Sequence, residues 1–127
     1  MSTWGSGSFE NDTAADHLYD FMGRMLDDMR EVMAHPEEYE PDEYWGDAFP
    51  VHLEILALLA AQPWSGIQIP PPEEVASWQQ CYMQVWDQNI DDLDPDADYK
   101  VERRQMLDAL FERLKHLAVL HHSPASE

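Results

Sequence analysis

Apolar residues recur at intervals of three and four over four separate stretches of this chain, and no stretch shows the period of two that marks a strand. In the first stretch Leu18, Phe21, Met22, Met25, Met29, Val32 and Met33 make one stripe. Asp20, Arg24, Asp27, Asp28, Arg30 and Glu31 make the opposite face, which is the amphipathic pattern of a helix from about Asp12 to Ala34. Asn11 or Asp12 can cap its start, and Thr13 with Asp16 has the spacing of a capping box. His35-Pro36 ends it, because a residue before proline avoids the helical region. Gly23 inside it costs about 1 kcal/mol against alanine, so close packing is expected there.

The second helix is expected to start near Asp47 and to turn Ala48, Val51, His52, Ile55, Leu56 and Leu59 inward. Pro50 either opens that helix or kinks an earlier turn beginning near Pro41. Residues 62–72 read as a turn-rich crossing, with an extended Pro70-Pro71-Pro72 run. Pro72 suits a first helical position and Glu73-Glu74 suit the positive end, so a third helix starts here. Val75, Trp78, Tyr82, Val85 and Asn89 are its inward stripe, with Cys81 beside them. The acid-rich loop of residues 91–98 ends it. A fourth helix, from about Tyr99 to Leu120, carries Leu107, Leu110, Phe111, Leu114, Leu117 and Ala118, with Arg113, Lys115 and His116 at its negative end. The pattern predicts an all-α fold: a single small bundle of about four helices over residues 1–120, followed by a tail of residues 121–127 that frays. Glycines in the opening segment allow Trp4 and Phe9 to fold together, so Trp4, Gly5, Gly7, Phe9, Asn11 and Asp12 are expected to form a plug that anchors the first helix.

Charge changes the picture most. The chain has 127 residues, 26 acids and 7 Lys and Arg, for a formal net charge of -19. Apolar residues at 44% and fourteen aromatics set it apart from disordered acidic chains. Between Arg30 and Lys100 sixteen acids fall and no Lys or Arg, a run that generic solubility explains poorly. The balance argues against direct binding of nucleic acid or an anionic membrane, both of which need basic surface. A single cysteine, Cys81, allows no internal disulfide, and without a basic neighbour it reads as a buried, inert thiol. The longest apolar run, 55–61, is far below the roughly 18 residues of a membrane span, and no signal peptide is evident, so a cytoplasmic location is expected.

Two segments stand out as a partner-binding surface. One is Glu37, Glu38, Tyr39, Glu40, Asp42, Glu43, Tyr44, Trp45 and Asp47, where the aromatics either anchor a partner or cover the end of the bundle. The other is Asp91, Asp92, Asp94, Asp96 and Asp98. Acids at alternate positions there resemble a calcium loop, but Ala97 and Arg103 stand where such a loop requires glycine and glutamate, so the segment reads as a solvated turn. Histidines at 17, 35, 52, 116, 121 and 122 contain no paired zinc-ligand spacing. No nucleophile is positioned beside the carboxylates, so no catalytic residue, cofactor or metal is assigned.

The opening Trp4-Gly5-x-Gly7-x-Phe9-x-Asn11-Asp12-x-Ala14-x-Asp16 resembles the signature of a small bacterial family, domain of unknown function 4259. Ile69-Pro70, Glu73-Glu74-Val75-x-x-Trp78 and the last helix through Leu110 and Leu114 are similar to its second half. The resemblance implies a helical domain of bacterial or phage origin and carries no chemistry. Pro50 and the base-free middle depart from the family's pattern. Four readings follow, in order of preference. The chain is an inhibitor or immunity protein for a basic partner such as a nuclease toxin; a phage-type nucleic-acid mimic; a carboxylate-based metal enzyme; or a subunit whose charge only solubilises it.

Overall fold

Asn11 starts the first element: its Oδ1 accepts the Ala14 amide at 2.8 Å, which makes Asn11 the cap, ahead of Asp12 and Thr13. In the computed structural model, which describes residues 3–123, that cap opens α1 (Asp12–Met33). A 3-10 turn (Pro36–Tyr39) leads to α2 (Tyr44–Ala60), and a crossing loop leads to α3 (Pro72–Asn89). A second 3-10 turn (Ile90–Leu93) precedes α4 (Ala97–His122). The molecule is a small all-α bundle, with no named strand among the described residues. α4 packs against both α2 and α3, while α1 lies more lightly across α2 and α3. α4 runs two residues beyond the expected Leu120, since His122 Nε2 meets the Ile69 carbonyl at 2.7 Å; residues 124–127 of the expected tail lie outside the described residues.

The core is built around aromatic rings. Phe49 of α2 meets Trp78 and Tyr82 of α3 and Phe111 of α4, with centroids 5.5, 5.8 and 6.5 Å away. Leu18, Met22, Leu26, Met29 and Val32 seal the α1 side, and Leu107, Leu110, Leu114 and Ala118 complete the α4 side. The expected stripe of α4 is therefore the buried one. On α1 the stripe is rotated slightly, because Phe21 is half exposed and Leu26 is buried.

α2 departs most from expectation. It starts at Tyr44, three residues before Asp47, so Pro50 lies inside it. A proline there cannot donate to the carbonyl four residues back, that of Gly46. The Tyr82 hydroxyl takes the vacant place and donates to the Gly46 carbonyl at 2.6 Å. A donor from α3 thus supplies what the helix's own backbone lacks. The buried face is also different. Phe49, Leu53, Leu56 and Ala57 point inward, while Val51 and Ile55 are exposed. The helix is apolar nearly all round, so periodicity alone does not select its inner face.

Gly46 is buried at a close approach. A Cβ there would lie well inside van der Waals contact with the Glu40 carbonyl, a backbone atom that cannot swing away. Gly66 adopts φ +97 as the crossing loop passes over Ala15 of α1. Gln68 from that loop donates its Nε2–H to the Tyr19 carbonyl at 2.6 Å and sits over Gly23, the close packing expected of that glycine.

The opening segment closes on itself. Trp4 donates its amide to the Glu10 carbonyl at 2.8 Å, and Thr3 bridges Asn11. Phe9 stacks on Trp64 of the crossing loop, 3.8 Å between centroids and 7° between planes, where the expected partner was Trp4. Trp4 itself is half exposed.

Candidate functional site

The start of α2 and the residue Pro41 before it meet the second 3-10 turn and the loop after it at one end of the bundle. Pro41, Gly46 and Asp47 form one wall of a cleft of about 340 Å³; Ile90, Leu93, Pro95 and Asp96 form another. Tyr82 and Trp86 of α3, with Tyr99 and Arg103 of α4, complete it. The 37–47 and 91–98 segments, singled out by their acids, are thus neighbours in space. A cleft of this size with apolar walls and a few convergent polar groups has the ordinary anatomy of a binding site.

Asp47 and Asp96 are the acids in its wall, and most acids of the two segments carry no counterion. Asp91 accepts from Lys100 at 2.7 Å, and Glu37 lies 3.6 Å from His35. Glu38, Glu40, Asp42, Glu43, Asp47, Asp92, Asp94, Asp96 and Asp98 form no ion pair among the described residues. Apart from Lys100, the lysines and arginines that pair are committed elsewhere. Arg30 takes Glu74 through two bonds of 2.8 and 2.9 Å, tying α1 to α3. Arg104 takes Asp87 the same way and Asp108 at 2.6 Å. Those bidentate partners raise the pKa of both arginines above the ordinary value. The end of the bundle therefore keeps a concentrated negative field, offset there only by Lys100, which pairs with Asp91, and by Arg103 in the cleft wall.

The three aromatics of the first segment have different fates. Tyr39 is only 2% exposed and stacks on Tyr82 at 6.0 Å, so it belongs to the core and is removed from the partner-binding set. Burial also raises its phenol pKa. Tyr44 is 78% exposed. Trp45 is half buried, edge-on to Tyr44 at 5.8 Å and tilted against His52 at 5.0 Å. His52, with Nδ1 2.9 Å from the Ala48 carbonyl, is a satisfied boundary residue as expected. Trp45 and Glu38 also face a shallow pocket with Asp28 and Glu31 of α1, acids that the sequence places on an ordinary solvated face.

From Tyr44 an exposed apolar stripe runs along α2 through the half-buried Ala48 to Val51, Ile55 and Leu58, at spacings of four and three. The stripe expected to face inward contains Ala48, Val51 and Ile55 of it but not Tyr44 or Leu58, and of that expected stripe Leu56 is buried. Sequence reading missed the cleft residues Tyr82, Trp86, Tyr99 and Arg103, because the only signal they carry is helical spacing on α3 and α4. Cys81 is exposed, not buried: it stands on the outer side of α3, one residue before the inward Tyr82.

His35, Glu37 and Glu38 bring one ligand atom each within 4.8 Å of one another, all on exposed side chains, and are the one such group among the described residues. The 91–98 loop provides no such group there; Asp94, with φ 52, simply ends its 3-10 turn. No helix among the described residues is long and apolar enough to cross a membrane.

No curated protein and no solved structure matches the chain. The profile of one family, described as "Domain of unknown function (DUF4259)", matches residues 2–118, nearly the whole bundle. The chain belongs to the family of domain of unknown function 4259.

Proposed function

We propose that this protein is an acidic binding module that neutralises a basic protein partner, best described as an inhibitor or immunity protein for a partner such as a nuclease toxin. The observation that carries the reading is the acidic end, where Glu38, Asp42, Glu43, Asp47, Asp92, Asp94, Asp96 and Asp98 lack counterions beside the exposed Tyr44. Unpaired surface acids of one sign steer a basic partner and raise its association rate. Tyr44, Trp45 and the apolar stripe of α2 supply the contact area that holds it once it arrives. The acids fall on two short 3-10 turns, the loops after them and the first turns of α2 and α4, with Asp47 and Asp96 in the cleft wall, the arrangement expected for a compact protein epitope rather than for a run of phosphates. A cytoplasmic home and a bacterial or phage origin fit this role.

Reversing Glu38, Glu43 and Asp47 together to lysine tests it. All three are exposed, so the helical circular dichroism should persist while partner binding weakens and loses much of its salt dependence. Unchanged affinity in a folded triple variant would remove this surface from the account.

A further inference from the structure

The cleft contains a cation that this acid-rich chain leaves without a carboxylate. Arg30, Lys100, Arg104, Arg113 and Lys115 each pair with an acid, and Arg24, which has no ion pair among the described residues either, stands exposed on α1 away from the cleft lining. Arg103 lines the cleft and, among the described residues, has only the Met106 sulfur, at 3.9 Å. A guanidinium carries five donors and no acceptor, so its fork is open to an acceptor from outside. Asp47 and Asp96 line the same space, with Trp86, Leu93 and Tyr99 as apolar and aromatic wall.

These groups together describe one guest. A free anion would meet Arg103 but would also meet Asp47 and Asp96 in the same wall, which repel net negative charge. A bare cation would satisfy the carboxylates and leave Arg103 unanswered. A residue inside a polypeptide answers both, since it combines a charged head with a neutral carbonyl dipole that a guanidinium can hold. We propose that the cleft receives a lysine or arginine residue in an extended segment of the basic partner. Asp47 and Asp96 hold its charged head, Trp86, Leu93 and Tyr99 cover its stem, and Arg103 donates to its main-chain carbonyl. The aromatic wall favours a cation over a neutral side chain of the same length. The proposal rests on the basic-partner reading and deepens it, because the partner then inserts a segment instead of only lying on the surface.

The test uses acetylated, amidated tripeptides, Ala-Lys-Ala and Ala-Arg-Ala, with Ala-norleucine-Ala as an uncharged control. Binding is read from the indole N–H resonance of Trp86, assigned with Trp86→Phe. The two basic peptides should shift it saturably and the norleucine peptide should bind about tenfold more weakly or worse. Asp47→Asn and Arg103→Met should each weaken the lysine peptide by about tenfold, with Arg103→Lys in between. The sign for Arg103→Met is the discriminating part. That change makes the chain more acidic, so simple attraction would tighten a cationic peptide, whereas the proposed carbonyl contact requires it to loosen. Each variant is first matched to wild type in circular dichroism and thermal midpoint, and Arg103→Gln replaces the methionine variant if that one is unstable. Equal or tighter binding by the Arg103 variants, or equal binding of the norleucine peptide, overturns the proposal. The two readings fail separately. A salt-eluted basic partner with an unmoved Trp86 signal sinks the cleft alone, and a titrating peptide with no basic partner sinks the surface reading alone.

Discussion

Tyr82→Phe is the sharpest test of how this bundle is held together. Pro50 sits inside α2, and its ring nitrogen has no hydrogen to offer the Gly46 carbonyl. The Tyr82 hydroxyl, on a residue 1% exposed, fills the gap at 2.6 Å. Removing the hydroxyl leaves a buried carbonyl with neither helix nor side-chain donor, a loss of about 1–3 kcal/mol. The same substitution in a Pro50→Ala background should cost less, because the alanine's N–H can then reach Gly46 along the helix. A coupling of about 1 kcal/mol between the two positions is expected. Urea unfolding followed by circular dichroism gives all four stabilities, with unchanged slopes showing that the comparison is valid. An equal cost of Tyr82→Phe in both backgrounds, or a cost below about 0.5 kcal/mol, would refute the claim that α3 supplies the donor that Pro50 lacks.

Gly46→Ala should destabilise by about 3 kcal/mol, because its methyl meets the Glu40 backbone; Gly5→Ala should be mild, because only the flexible end of the Glu10 side chain must move. Chemical denaturation of the two variants side by side checks the contrast, and equal costs would contradict it. Leu110→Ala should cost about 2–5 kcal/mol, since Leu110 is 5% exposed on the inner face of α4, and a near-neutral result would place the wrong face inward. Burial holds the Tyr82 phenol above its ordinary value of 10.0. A folded-state pKa above that of the unfolded chain means stability is full below pH 10 and falls as the pH rises beyond it. Thermal midpoints measured from pH 8 to 11 should drop at the alkaline end, and drop less in Tyr82→Phe.

Three of the four helices were legible in the chain because local signals and tertiary packing agree there. Asn11 and Pro72 mark starts that the structure uses, and the stripe from Leu107 to Ala118 has a strongly charged opposite face to orient it. α2 was not legible for two reasons. Its outward stripe is as apolar as its inward one, so spacing cannot choose between Val51 and Leu53. Pro50 looked like a helix start because nothing local reveals a tyrosine 32 positions further on that replaces its missing donor. The acidic segments were visible as composition, but their meeting around one cleft depends on how α3 and α4 pack. Tyr39 shows the limit of composition: it stands among acids and yet stacks inside the core on Tyr82. Arg103 was invisible because its significance lies in a partner it lacks, which only the placement of every acid around it reveals.

The most direct test of the central claim is a pull-down from the native host, with wild type and the Glu38, Glu43 and Asp47 reversal variant as parallel baits, eluted first at low and then at high salt. The account predicts a protein with a basic surface that wild type retains at low salt, that high salt releases, and that the reversed variant fails to capture. A basic partner held equally by both baits, or no salt-released protein at all, would contradict it.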